Sequence, residues 1–228
     1  MIQPDGEVVA AGQFMSVVEE LGLIRLVDRK VLELAVEELS NYPAANLAMN
    51  VSGMTAMDRT WLRNVVGMLR GHPEIASRLI VEITETAGIE DLDECVRFVA
   101  TLRDLGCRVA LDDFGAGYTS FRHLKTLAVD IVKIDGSFVR NICENSDNLL
   151  FVRTLLDLAR NFDLETVAEC VETEAEARLL ADEGVKLLQS YAFGKPLLRR
   201  PWADGDAETS LPLEVGVTTA KLSSSATG

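Results

Sequence analysis

Cys107-Arg108-Val109-Ala110-Leu111-Asp112-Asp113-Phe114-Gly115-Ala116-Gly117 runs from an apolar segment into two aspartates and then into a flexible turn. Val109-Ala110-Leu111 has no polar alternation, as suits a strand covered on both faces. Two adjacent carboxylates at the mouth of such a strand repel, and each raises the other's pKa. A bound divalent cation supplies the missing positive charge. For the pair taken alone, an acidic turn with both side chains in water fits equally well, because Asp and Gly are ordinary turn residues. The choice depends on whether other ligand-type residues converge on the same place.

Outward from this stretch the same pattern recurs. Strand-like runs are Leu47 to Val51, Leu79 to Ile83, Cys107 to Leu111, Asp130 to Ile134, Glu165 to Ala168 and Val185 to Leu188. Amphipathic stretches lie between them. Asp91 to Leu105 carries Leu92, Cys95, Val96, Val99 and Leu102 on one face, and Leu149 to Phe162 and Glu174 to Glu183 read the same way. Ser146 and Thr173 are expected N-caps, and Gly106 and Gly184 expected stops. Strands alternating with helices at this spacing imply βα units and a parallel sheet. No Gly-x-Gly-x-x-Gly follows the first strand and no Walker loop is present, which favours a barrel over a nucleotide-binding open sheet. The expected fold class is therefore α/β, a TIM-type (β/α)8 barrel. Six strands are visible where eight are needed, so the chain reads as truncated at its N-terminus by about two strands.

The 228 residues, 48% of them hydrophobic, suffice for one large domain with a sizeable core. Residues 1–203 are read as that domain. Residues 204–228, which end Ser223-Ser224-Ser225-Ala226-Thr227-Gly228, are read as a flexible C-terminal tail. No run has membrane-spanning length and no signal pattern opens the chain, so a cytoplasmic protein is expected. A net charge of -14 repels nucleic acid, and a phosphate-bearing substrate would need metal ions or local cations to offset the field. Cys95, Cys107, Cys143 and Cys170 lack the spacing of structural zinc or of a disulfide framework.

Ligand-type and acid/base residues close every one of the six runs. Asn50 ends the first, Glu82 and Glu85 the second, Asp112 and Asp113 the third, Lys133 and Asp135 the fourth, Glu169 and Glu172 the fifth, and Gln189 the sixth. In a parallel barrel all these ends meet at the face that carries the active site. Singly, Asp135 and the Glu172-Thr173 pair are also good helix caps, and Lys133 could simply neutralise a neighbouring carboxylate. Six coincidences on one rim are a poor explanation. Amide and carboxylate oxygens suit Mg²⁺ or Mn²⁺, and the absence of Cys/His clusters disfavours zinc. Adjacent aspartates can support two metals about 3.5–4 Å apart, the arrangement used for in-line phosphoryl displacement. Lys133 is placed to orient water or to stabilise charge on phosphate.

At these residues the chain resembles the EAL domains, the family of cyclic di-GMP phosphodiesterases. The resemblance runs from about Pro4 to Trp202. It rests on Asn50-Val51-Ser52, Glu82-Ile83-Thr84-Glu85, Asp112-Asp113-Phe114-Gly115-Ala116-Gly117-Tyr118, Lys133-Ile134-Asp135, Ala168-Glu169-Cys170-Val171-Glu172 and Gln189-Ser190-Tyr191. It implies a barrel that opens cyclic di-GMP to linear pGpG with Mg²⁺ or Mn²⁺, with inhibition by Ca²⁺ expected. It also implies that Asn50, Glu82 and Asp112 ligate one metal, and that Asp113 and Glu169 attend the second, with Lys133 on a metal-bound water. By the same resemblance Glu85 anchors the loop from Gly115 to Ser120 and so links the metals to a homodimer interface. Glu172 and Gln189 then complete the pocket.

The family's Glu-Ala-Leu stretch, whose glutamate is a further metal ligand, would lie upstream of Met1. Hydrolysis by the chain as written is therefore expected to be impaired. The missing strands are expected from a longer parent protein or from another chain. The alternative is a catalytically degenerate cyclic di-GMP receptor or a protein-interaction scaffold. A sugar-phosphate barrel enzyme would need a Gly-rich phosphate loop near the last strands, which Gln189-Ser190-Tyr191 does not offer. Cys170, Ala116 and Ser190 stand where the family usually has glycine, threonine and glycine.

Overall fold

The computed structural model describes residues 8–85, 91–116, 121–190, 213–214 and 217–221. The expectations placed on Gly117 to Ser120, on Tyr191 and on most of the C-terminal stretch lie outside those residues. Six strands run parallel in chain order: β1 Leu47–Val51, β2 Leu79–Thr84, β3 Arg108–Phe114, β4 Ile131–Ile134, β5 Glu165–Ala168 and β6 Leu187–Gln189. Helices α1 Met15–Glu20 and α2 Ile24–Asn41 precede them. Between the strands lie α3 Gly53–Ala56, α4 Arg59–Leu69, α5 Pro73–Ala76, α6 Leu92–Asp104, α7 Phe121–Leu127, α8 Gly136–Val139, α9 Ser146–Asn161 and α10 Glu174–Glu183. The result is a curled half-barrel with helices on its outer face, six strands of the eight that a closed TIM-type barrel needs.

Side-chain alternation along each strand divides the interior in two. Val81, Ile83, Val109, Leu111, Val132, Ile134, Ala168 and Leu188 belong to the large core cluster that includes the helices. The alternate positions Ala110, Ile131 and Val167, with Ile80 and Leu187 against them, form a separate small cluster inside the sheet's curve. Helix α6 buries Cys95, Phe98, Val99 and Leu102, a stripe of helical period that seats it on the sheet. Removing such a fully buried side chain, as in Leu111→Ala, costs about 2–5 kcal/mol.

The helix ends follow local chemistry. Thr173 caps α10 in a reciprocal capping box with Glu176, and Gly184 stops that helix with φ 98°. Gly106 does the same after α6 with φ 97°. Asn145, not Ser146, caps α9: its side chain accepts from the N–H groups of Asp147 and Asn148, and Ser146 is the first helical residue.

A short antiparallel element extends the sheet. β7 Leu213–Glu214 pairs with β8 Val217–Lys221, β8 pairs with β6, and β7 lies against β1. Backbone pairing therefore covers the β6 edge, which an open parallel sheet would leave bare.

Candidate active site

The inner apolar layer sets where the polar residues fall. Two positions further along each strand from Ala48, Ile80, Ala110, Ile131, Val167 and Leu187 come Asn50, Glu82, Asp112, Lys133, Glu169 and Gln189. Since the side-chain period is two, these six share the inward face, one layer above an apolar floor. Register places Asn50 beside Glu82 on the neighbouring strands β1 and β2.

Lys133 stands at the centre. It is 2% exposed, and its Nζ lies 2.9 Å from Glu82 Oε2, 3.1 Å from Asp112 Oδ1 and 2.8 Å from Glu169 Oε1. Burial works against its charge, but Glu82, Asp112 and Glu169 together outweigh it, so the ammonium titrates well above the ordinary lysine range. Among the described residues, Lys133 stands as one cation among three carboxylates. Burial accordingly pushes Glu169 up to about 7, with Asp112 and Glu82 adding to the rise and Lys133 opposing it.

In a regular strand Asp112 and Asp113 would face opposite sides of the sheet. The structure solves this with a bulge. Leu111 pairs with Val132 but Phe114 pairs with Ile134, so β3 spends one residue more than β4 over the same span. Asp113 takes φ 56°, and its N–H donates to Asp112 Oδ1 at 3.0 Å. The bulge turns both carboxylates to one side: Asp112, Asp113 and Glu169 each offer an oxygen within 4.8 Å of the others. Burial, then Asp112, Asp135 and Glu85, raises the Asp113 carboxyl against the pull of Lys133. Convergent hard oxygens carrying excess negative charge suit Mg²⁺ or Mn²⁺.

Glu85 is buried but does not join this cluster. It accepts the Gly115 N–H at 2.9 Å and so ties down the start of the loop after Asp113. Gln189 is buried at the rim, and among the described residues its Oε1, itself buried, has no hydrogen-bond partner. Glu172 is not brought in. Its side chain is exposed and lies 3.5 Å from Arg140.

Several supporting residues carried little sequence signal. Glu176 accepts the N–H of Asn141 through one oxygen and those of Glu172 and Thr173 through the other, joining the segments after β4 and β5. Ser190 Oγ donates to the Val171 carbonyl. Asp28, buried on α2, accepts the Ser52 N–H at 3.1 Å and fixes the chain just after Asn50. Its signal was available: Asp28 interrupts the apolar stripe Ile24, Leu32, Ala35, Leu39. Cys170 has φ 53° and packs so closely on Gly136 that a Cβ there would meet it at 2.7 Å. The left-handed backbone explains why glycine suits position 170.

The EAL domain family model matches residues 1–196. The chain belongs to the EAL domain family. It is 36% identical over 200 residues to the uncharacterized protein Rv1354c of Mycobacterium tuberculosis, covering 85% of this chain and 32% of that protein. It is 34% identical over 194 residues to the cyclic di-GMP phosphodiesterase PdeF of Escherichia coli, covering 83% and 26%. This EAL chain thus spans a third or less of the length of these curated relatives. The solved structure of the PaMucR phosphodiesterase in complex with c-di-GMP superimposes with a TM-score of 0.76 at 32% identity, covering 83% of this chain and 84% of that one.

Proposed function

We propose that this EAL domain hydrolyses cyclic di-GMP to linear pGpG with Mg²⁺ or Mn²⁺. The observation that carries the reading is the cluster of Glu82, Asp112 and Glu169 around Lys133, with Asp113 turned onto it by the β3 bulge. Relatives named as cyclic di-GMP phosphodiesterases support the substrate.

In this reading Asn50, Glu82 and Asp112 hold one metal, and Asp113 and Glu169 the other. The metals, when bound, supply Lewis acidity and offset the charge of an anionic substrate at an acidic rim. Lys133 Nζ donates to the oxygen of the attacking water and holds it against the scissile phosphodiester. The proton that the water gives up is available to the leaving O3′ oxygen. The water oxygen joins phosphorus, one P–O3′ bond breaks, and the leaving oxygen ends protonated as a 3′-hydroxyl. Glu85 keeps the loop after Asp113 in place. Gln189 stands at the rim beside this cluster, and Glu172, exposed and turned to Arg140, takes no part in it.

The described residues supply six parallel strands where a closed (β/α)8 barrel has eight, and residues 1–228 by themselves are expected to turn over slowly. Among the described residues no helix is long and apolar enough to cross a membrane. A homodimer through the loop after Asp113 accompanies this reading, and light scattering across a concentration series tests it. Release of pGpG with Mn²⁺ by the unmodified chain and by Asp112→Asn tests the catalytic assignment. The variant should be slower by about 10–100-fold or more, as for lost metal-site contacts generally.

A further inference from the structure

The metal site depends on a backbone conformation that its own residues do not favour. Asp113 sits at φ 56°, in the left-handed region that side chains disfavour and that Asp enters more readily than most. Such a conformation persists only where its surroundings over-determine it. Three contacts made by the chain next to Asp113 are hydrogen bonds of its backbone. Gly115 N–H reaches Glu85, Ala116 N–H reaches the Asp113 carbonyl at 3.1 Å, and Asp135 N–H reaches the Phe114 carbonyl at 3.3 Å. The fourth is aromatic. Phe138 on α8 and Phe151 on α9 stack with ring centroids 3.8 Å apart and planes 16° apart. A Cβ on Gly115 would lie 2.6 Å from Phe138 Cε2 and 2.7 Å from Phe151 Cζ. The edge of the stack therefore occupies the space where a side chain at position 115 would begin.

The stack is itself fixed. Asp135, next but one after Lys133, caps α8, and the Asn148 side chain of α9 donates to the Ser137 carbonyl of α8 at 3.0 Å. The two rings thus rest on elements continuous with β4 and meet β3 two residues beyond Asp113. Both rings are half-buried, packed against the main core on one side and facing the Gly115 backbone on the other.

We propose that the Phe138–Phe151 stack is a positioning element of the metal site. It presses on the Gly115 backbone, holds Asp113 in its left-handed conformation and so sets the Asp113 carboxylate against Asp112 and Glu169. This rests on the two-metal reading of that cluster. Its distinctive content is that Phe151, on a helix that supplies no ligand, governs metal affinity, and that Gly115 is glycine because of the rings as well as its φ of 101°.

The test is the Mn²⁺ concentration that half-saturates the rise in Tm, read alongside the Tm without metal and pGpG release. Phe151→Ala should raise the half-saturating Mn²⁺ concentration about tenfold, in the range seen when supports of metal ligands are removed. Phe151→Tyr keeps the stack and should restore the original value. Phe151→Leu provides the comparison where alanine folds poorly, and should fall between the two. Gly115→Ala should weaken Mn²⁺ binding in the native background but do so less in Phe151→Ala, because the Phe138 ring, whose Cε2 lies nearest, can then shift into the space that Phe151 vacates. The proposal is overturned if Phe151→Ala and Phe151→Leu lower the Tm without metal yet leave the Mn²⁺ midpoint unchanged, or if the Gly115 and Phe151 effects simply add. An unmodified chain whose Tm does not respond to Mn²⁺ overturns the phosphodiesterase reading and this proposal with it. A normal response with an unmoved Phe151→Ala midpoint overturns this proposal alone.

Discussion

At the scale of single residues, the site is an electrostatic arrangement with more carboxylates than cations. Lys133 is the counter-ion, and Lys133→Met would remove the ammonium that Glu82, Asp112 and Glu169 share in a buried site. That change should destabilise the metal-free chain by about 3–5 kcal/mol, measured by urea unfolding, and a loss below about 1 kcal/mol would contradict the counter-ion role. Glu169 makes the site sensitive to pH. Its carboxyl titrates at about 7 in the folded chain against an ordinary 4.5. The folded state therefore binds the extra proton between those values, and the metal-free chain loses stability as pH rises through that window. Metal binding must displace the same proton, so Mn²⁺ should raise the Tm more at pH 8 than at pH 6. An equal rise at both values would show that Glu169 is not a ligand. Most of these residues were legible as polar side chains closing apolar runs. Glu176 was not, because a charged residue on a helix ordinarily faces water. Only its contact with distant backbone marks it as a support.

At the scale of elements, strand positions were legible because runs buried on both faces are apolar throughout, and β1 and β5 lie where the sequence places them. The bulge in β3 was not legible. It arises from the mismatch between two paired strands, which no single strand's sequence records, yet it allows adjacent aspartates to serve one site. The capping residues were readable to within one position, since Asn145 and Ser146 are both good caps and tertiary fit chose between them. Glu176 ties two rim segments while closing the α10 capping box. Glu176→Ala should lower stability by about 1–3 kcal/mol through three backbone donors left without their acceptor. Thermal unfolding with and without Thr173→Ala separates the capping share, and a Glu176→Ala loss no larger than that of Thr173→Ala would contradict the bridging role.

At the scale of the whole molecule, the order of the six parallel strands places every ligand-type strand end on one face. That topology is why Glu82, Asp112, Lys133 and Glu169, far apart in sequence, could be expected on one rim, while Glu85 and Glu172 stand outside their cluster. The antiparallel strands at the β6 edge were harder to see. Val217-Thr218-Thr219 is β-branched, but it lies in a Ser- and Thr-rich stretch with no alternation long enough to declare a strand. EAL membership and the relatives make cyclic di-GMP the substrate to test, and the carboxylate cluster makes metal the cofactor. The direct test is Mn²⁺-dependent release of linear pGpG from cyclic di-GMP, measured side by side for the unmodified chain and Asp112→Asn. The expected result is slow but metal-dependent release that falls at least about tenfold in the variant. Equal rates in the two chains would contradict the assignment of this site.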